Sequence, residues 1–282
     1  GLVDRFADEQ RDLARMSHPG IATIHDAAVS PEGVPYIVME HVPGEPVTSF
    51  ANGAGLGLEQ RIDLVVQACA AIEHAHGKGL VHRDLKPANV LAFRDDAGSP
   101  RVKVIDFGIA HALGLGGGLG EATPRRPAAG SFDDAERRSL AGTPAYMAPE
   151  QAGVGVTEGT AAIDVDARAD VFALGAILHQ LLSGRPPFPR PDEDVLDDPE
   201  ILQAWVRDRV AEPPSHTPAN PAWRPDLRRD LDWIVARCLA ADPDGRYPGP
   251  GGLAADLRRW RSREPVHARP PASRYRLGRF VA

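Results

Sequence analysis

From Leu58 to His76 the apolar residues Ile62, Val65, Val66, Cys69 and Ile72 share one helical face among Glu59, Gln60, Asp63 and Gln67, the pattern of an amphipathic helix. Upstream, Phe6, Leu13 and Met16 stand at near-helical intervals in RFADEQRDLARM, which predicts a helix ending before Ser17. Two β-rich runs, IATIHDAAVS (21–30) and VPYIVMEHV (34–42), meet at the turn signal PEG and predict a hairpin. Two strands alone cannot bury a sheet face, so the apolar side of 21–39 is expected to stay partly exposed.

The stretch PGEPVTSFANGAGLG (43–57) reads as loop, as does VHRDLKPANVL (81–91); RVKVIDFG (101–108) reads as a strand and turn. Residues 113–140 are rich in Gly, Pro, Arg and Ala and read as a mobile connection. Beyond Pro149 helical patterns return over 169–182, 199–210, 230–240 and 253–262, separated by Pro-rich joints such as SGRPPFPRP. No internal repeat is visible.

Composition narrows the options. At 282 residues and 43% hydrophobic, the chain can bury one core in two lobes, or two small cores. A net charge of -7 argues against a general nucleic-acid binder, whose footprint is basic. Cys69 and Cys238 stand far apart without C-x-x-C spacing, which argues against a disulfide framework or zinc site and fits a reducing compartment. The run VFALGAILHQLLSG (171–184) is too short to span a bilayer and reads as a buried helix. No signal peptide is visible, and the first residue is Gly1 rather than Met, which points to a piece of a longer product.

Four blocks occur in order: HRDLKPAN (82–89), DFG (106–108), APE (148–150) and DVFALG (170–175). Charged groups as dense as those of the first block are costly beside apolar neighbours unless paired or used. Together, and with GTPAYMAPEQA (142–152), the blocks resemble the bacterial branch of the eukaryotic-like protein Ser/Thr kinase family. The resemblance runs from Arg5 to about Trp260. It implies an α+β, two-lobed protein-kinase-like fold: residues 1–42 as a partial N-lobe, 43–262 as the C-lobe and 263–282 as a basic tail. It also implies ATP- and Mg2+-dependent transfer of phosphate to Ser or Thr hydroxyls of proteins.

Within that resemblance Asp84 is expected to orient and deprotonate the attacking hydroxyl, and Lys86, two residues on, to neutralise the transferring phosphate. Asn89 and Asp106 supply neutral and charged oxygens to Mg2+. Met39 is expected at the back of the adenine pocket, with backbone groups of Glu40 and Val42 facing the base edge. His82 is expected to pack near Phe107, Asp170 to cap the catalytic-loop backbone, Glu150 to pair with Arg246, and Arg83 to read an activation-segment phosphate. The segment 106–150 offers Thr123, Ser131 and Ser139 for autophosphorylation, and Thr143 resembles the platform residue that contacts Asp84 and Lys86.

Part of the family's ATP clamp is missing from this chain. It contains no G-x-G-x-x-G, and LGLGGGLG (113–120) follows the metal-binding turn instead of joining strands. Glu9 is the best match for the helix Glu that pairs with the clamp Lys. The only lysines are Lys78, Lys86 and Lys103, and none stands at the clamp position. The expected alternative is therefore a pseudokinase acting as a binding scaffold. A small-molecule phosphotransferase of the same fold is disfavoured by Lys86 and by Pro149–Glu150. Eight Arg against the single Glu264 between Leu257 and Ala282 suggest a cytoplasmic, membrane-proximal position in a longer protein, with any anchor beyond this chain.

Overall fold

The computed structural model describes residues 17–30, 35–107, 144–154, 166–192, 195, 196 and 198–269. The helix expected over 5–16, the stretch 108–143 and the end of the tail lie outside the described residues.

The expected hairpin is present. β1 (Ile24–Val29) pairs antiparallel with β2 (Pro35–Met39), with Ile24 opposite Met39. As anticipated for a two-stranded sheet, Tyr36 and Val38 on β2 stay exposed, at 47% and 44%. The residues before β1 leave the hairpin and zip onto the other lobe. Ala22 N–H donates to Val104 O at 3.0 Å, and Val104 N–H to Gly20 O at 2.8 Å.

The stretch 43–57 differs from the loop expected for it. Glu45–Pro46 forms a short strand, β3, and Val47–Gly53 forms helix α1, with Val47 and Ala51 buried. The Gly and Pro residues that suggested loop mark the boundaries of these short elements. β3 joins β4 (Val90–Arg94) and β5 (Pro100–Val104) in an antiparallel sheet of order β3-β4-β5. β4 begins directly after the catalytic-loop block.

Helix α2 spans Leu58–His76, and Gln60 Oε1 accepts the Gly57 N–H at 3.1 Å to satisfy a first-turn donor. Helix α3 spans Ala167–Ser183. Asp166 caps its start by accepting from Arg168 N–H at 2.7 Å, and Gly184 at φ 81° ends it. Leu174, Leu178 and Leu181 of α3 are fully buried, each worth about 1.5–3 kcal/mol against exposure. Gly175 lets α3 approach the helix behind it, because a Cβ there would overlap the Cys238 Cβ. α4 (Pro199–Asp208) starts at the Asp198 cap. α5 (Asp232–Cys238) follows the one-turn helix Arg224–Asp226 and a π-turn at Leu227–Leu231. α6 (Pro250–Arg261) closes the helical lobe.

A single core joins α2, α3, α5, α6 and the three-stranded sheet. Arg61 is 5% exposed within it and donates to Ala51, Leu56 and Leu181 carbonyls at 3.1, 2.9 and 3.0 Å, tying α1 and α2 to α3. Within 263–269, the expected start of the tail, one side chain is buried against this lobe. Val266 is 3% exposed, and Asp256 accepts from His267 and Ala268 N–H groups at 2.8 Å each. The apolar Val266 and the buried carboxylate outweigh the basic composition there. No helix among the described residues is long and apolar enough to cross a membrane.

Candidate active site

After α2 the chain turns at Gly79, φ 80°, and enters the 82–89 block. His82 is fully buried. Its Nε2 lies 3.0 Å from Ile105 O, and its ring packs 4.8 Å from that of Phe107, as expected for a packing role. Asp170, 1% exposed at the first turn of α3, accepts from His82 N–H at 2.8 Å and Arg83 N–H at 2.9 Å. It also meets His76 Nε2 at 2.7 Å. The expected cap is therefore present.

Leu85, 2% exposed, anchors the loop while its neighbours face outward. Lys86 Nζ reaches Asp84 Oδ2 at 2.8 Å, and both side chains keep part of their surface in solvent. Asn89 donates its amide Nδ2 to Asp84 O at 2.9 Å and to Asp84 Oδ2 at 3.3 Å. With the nitrogen so committed, the amide oxygen is the acceptor left over. Ile105 N–H donates to Asn89 O at 3.0 Å, which places the next residue, Asp106, beside the loop. Asp106 has a left-handed backbone, φ 59°. Loss of water around its carboxyl group raises its pKa; His82 and Lys86 oppose the rise and the Asp84 carboxylate adds to it.

Residues 39–44, the expected hinge, are tied to β5 through Glu40. Met39 closes β2, Glu40 N–H donates to Thr23 O at 2.8 Å, and Val42 is 8% exposed with its carbonyl taken by Gly44 N–H at 2.8 Å. The Glu40 carboxylate has a role the sequence did not reveal. It receives Lys103 Nζ at 2.5 and 2.6 Å and Thr23 N–H at 3.2 Å. The hydrogen bond from Lys103 holds its pKa below the ordinary value of 4.5.

The segment 148–152 is fixed by a buried pair. Arg246 grips Glu150 with bonds of 2.6 and 2.8 Å, and also donates to the Ala240, Ala241 and Arg168 carbonyls. Gln151 then links platform to loop. Its Oε1 accepts Ala148 N–H at 2.9 Å, and its Nε2 donates to Arg83 O at 2.5 Å. Among the described residues no carboxylate pairs with the Arg83 guanidinium. Glu9, Gly108, Thr123, Ser131, Ser139 and Thr143 lie outside the described residues.

This ordering of a HRDLKPAN loop, a DFG strand end and a Glu150–Arg246 platform has a counterpart in a family model. The protein kinase domain model matches residues 3–253. The chain belongs to the protein kinase domain family. Among its relatives, Serine/threonine-protein kinase PknB of Mycolicibacterium smegmatis is 35% identical over 259 residues, covering 90% of this chain and 35% of the relative. PknB of Mycobacterium leprae is 33% identical, covering 94% and 37%. Serine/threonine-protein kinase Pkn1 of Myxococcus xanthus is 35% identical, covering 87% and 30%. The chain thus spans about a third of the length of these curated relatives. Among solved structures, Rad53 residues 1–466 in complex with AMP-PNP superposes with a TM-score of 0.57 at 22% identity, covering 89% of this chain and 53% of that one, which establishes the shared fold.

Proposed function

We propose that the cleft between hinge and catalytic loop is a site of phosphoryl transfer from ATP to Ser or Thr hydroxyls of proteins. The observation that carries this reading is the convergence of the Asp84 carboxylate, the Lys86 ammonium and the Asn89 amide, with Asp106 attached through the Ile105–Asn89 bond. Asp84 aims the hydroxyl and accepts its proton as the new O–P bond forms and the bond from the γ-phosphorus to the ADP oxygen breaks. Lys86, on the same carboxylate, sits where it can balance charge on the transferred group.

The Asn89 amide oxygen and the Asp106 carboxylate make a set of one neutral and one charged oxygen, which suits a hard cation such as Mg2+. Burial raises the Asp106 pKa, and His82 and Lys86 offset only part of that rise. When bound, Mg2+ would offset charge on the nucleotide's phosphate oxygens. The hinge carbonyl of Glu40 and N–H of Val42, under Met39, receive the adenine edge. The Ser and Thr residues of 106–150 are candidate acceptors alongside those of protein substrates, and the demand for ATP sets the reaction in the cytoplasm.

A second reading, a nucleotide-binding scaffold with little transfer, is favoured by the state of the lysines. Lys86 is engaged by Asp84 and Lys103 by Glu40, and Lys78 lies in the turn after α2. The deciding experiment is incubation of the chain with radiolabelled Mg·ATP and a mixed basic protein substrate, followed by phosphoamino-acid analysis. Label on Ser or Thr, at a turnover well below the ~1 s⁻¹ lower end of ordinary kinases, is the expected result. Label confined to Tyr would overturn the acceptor class, and no label at all would leave the scaffold reading.

A further inference from the structure

Strand alternation explains why Lys103 points away from the core. Its neighbours Val102 and Val104 are 3% and 0% exposed and face the interior, so Lys103 faces the other side, toward the hinge. There it meets Glu40 with both carboxylate oxygens, although the two residues are 63 positions apart.

The same strand reaches the hinge by a second route. Val104 accepts from Ala22 N–H at 3.0 Å, and the next residue, Thr23, exchanges two bonds with Glu40. Glu40 N–H donates to Thr23 O at 2.8 Å, and Thr23 N–H donates to Glu40 Oε2 at 3.2 Å. Lys103, Val104, Ala22, Thr23 and Glu40 therefore form a closed ring of contacts. Its covalent side is β5, and its far corner is Glu40, the residue whose carbonyl the nucleotide reading assigns to the base edge.

Such a ring removes the two motions that would spoil recognition of a base by backbone groups. The ion pair resists rotation of the Glu40–His41 peptide, and the Thr23 bonds resist sliding of the hinge along the cleft. An ordinary surface ion pair would do neither well, being screened and mobile. Here Lys103 keeps only 17% and Glu40 31% of their side-chain exposure, and each is also fixed by its strand or its backbone bonds. The strand that carries Lys103 delivers Asp106 three residues later, so one rigid segment sets both ends of the site.

We propose that Lys103, through Glu40, is a positioning residue for base recognition: it fixes the hinge peptide in register with the metal-side carboxylate and thereby selects adenine. This rests on the nucleotide reading above. Lys103 touches neither nucleotide nor acceptor in this account, and it does not stand in for the clamp lysine.

The test is calorimetric titration of the chain with ADP and, separately, IDP, each with Mg2+. Hypoxanthine presents an oxygen where adenine presents an amino donor, and an N1–H where adenine presents an acceptor, so only a correctly oriented hinge carbonyl and N–H tell them apart. The wild type is expected to prefer ADP. Lys103→Met and Glu40→Gln should each lower that preference roughly tenfold, about the worth of one well-placed hydrogen bond, mainly by weakening ADP. The exchanged pair Lys103→Glu with Glu40→Lys should recover part of it. A merely destabilised fold would weaken both nucleotides together and leave their ratio unchanged. A wild type that discriminates while both single variants keep its ratio overturns the positioning role and leaves the nucleotide site standing. A wild type that binds both nucleotides equally overturns base reading by the hinge, and one that binds neither overturns the nucleotide reading itself.

Discussion

Asp170 holds the backbone of His82 and Arg83 from 88 and 87 residues away, with N–H bonds of 2.8 and 2.9 Å to one buried carboxylate. Arg83 has φ 65°, and a non-glycine residue in the left-handed region costs on the order of 1–3 kcal/mol. Hydrogen bonds to a charged acceptor are worth about 1.5–3 kcal/mol each, so two of them outweigh the strain. The shape of the catalytic loop is therefore imposed by α3 and is not local to the loop.

Asp170→Ala should lower stability by about 3–5 kcal/mol, because it leaves the buried His82 N–H, the half-buried Arg83 N–H and His76 without their partner. Urea denaturation of the variant against the wild type measures this. A loss under about 1 kcal/mol would mean that the loop holds its own shape.

The Glu150–Arg246 pair predicts strong non-additivity. Glu150→Gln or Arg246→Met alone should each cost about 3–5 kcal/mol, since the remaining charge is buried without its partner. The double substitution should cost clearly less than the sum of the two. A double-mutant cycle by denaturation reads this coupling, and additive losses would show that the two side chains do not depend on each other.

Much of this was legible in the chain. The helix over 58–76 was readable at both ends, because its apolar face is continuous and Gly57 and Gly77 bracket it. The hairpin was readable from turn signals, and the Glu150–Arg246 pair from the family resemblance. Helix α1 was not, since seven residues between Gly- and Pro-rich flanks carry too short a period, and tertiary packing of Val47 and Ala51 decides the outcome. Arg61 gave no signal, because its partners are carbonyls brought near only by the fold. Lys103 was visible as a strand lysine, but its partner depended on how the hinge crosses β5. The basic composition after Leu257 concealed the burial of Val266 and the bonds from the next two N–H groups to Asp256.

Gly175→Ala should destabilise the chain by about 1–3 kcal/mol, the usual cost of forcing atoms into a packed contact. A methyl group there meets Cys238, and one of α3 or α5 must shift. Gly175→Ala combined with Cys238→Ala should recover less than the full loss, because the overlap is with the Cβ that alanine keeps. Thermal unfolding of the two variants checks both statements.

Glu40 predicts a pH-dependent contribution. Its carboxyl pKa is held below 4.5 by Lys103 in the folded state, so the pair stabilises the fold above the unfolded pKa and loses that effect as pH falls through the folded value. The stability gap between wild type and Glu40→Gln should therefore be full near neutral pH and close only in acid, below 4.5. Denaturation at stepped pH measures the gap. A gap that closed between pH ~6 and 8, in the ordinary histidine range, would assign the effect to another group.

The division of labour within the cleft is most directly tested by Asp84→Asn and Asp106→Asn, read by Mg·ADP calorimetry alongside phosphate transfer from labelled Mg·ATP. Asp84→Asn should bind Mg·ADP like the wild type and lose transfer by about 10²–10⁴-fold, the range for removing a general base. Asp106→Asn should lose the part of ADP affinity that depends on Mg2+. Near-normal transfer by Asp84→Asn, or unchanged Mg2+-dependent binding by Asp106→Asn, would contradict the account.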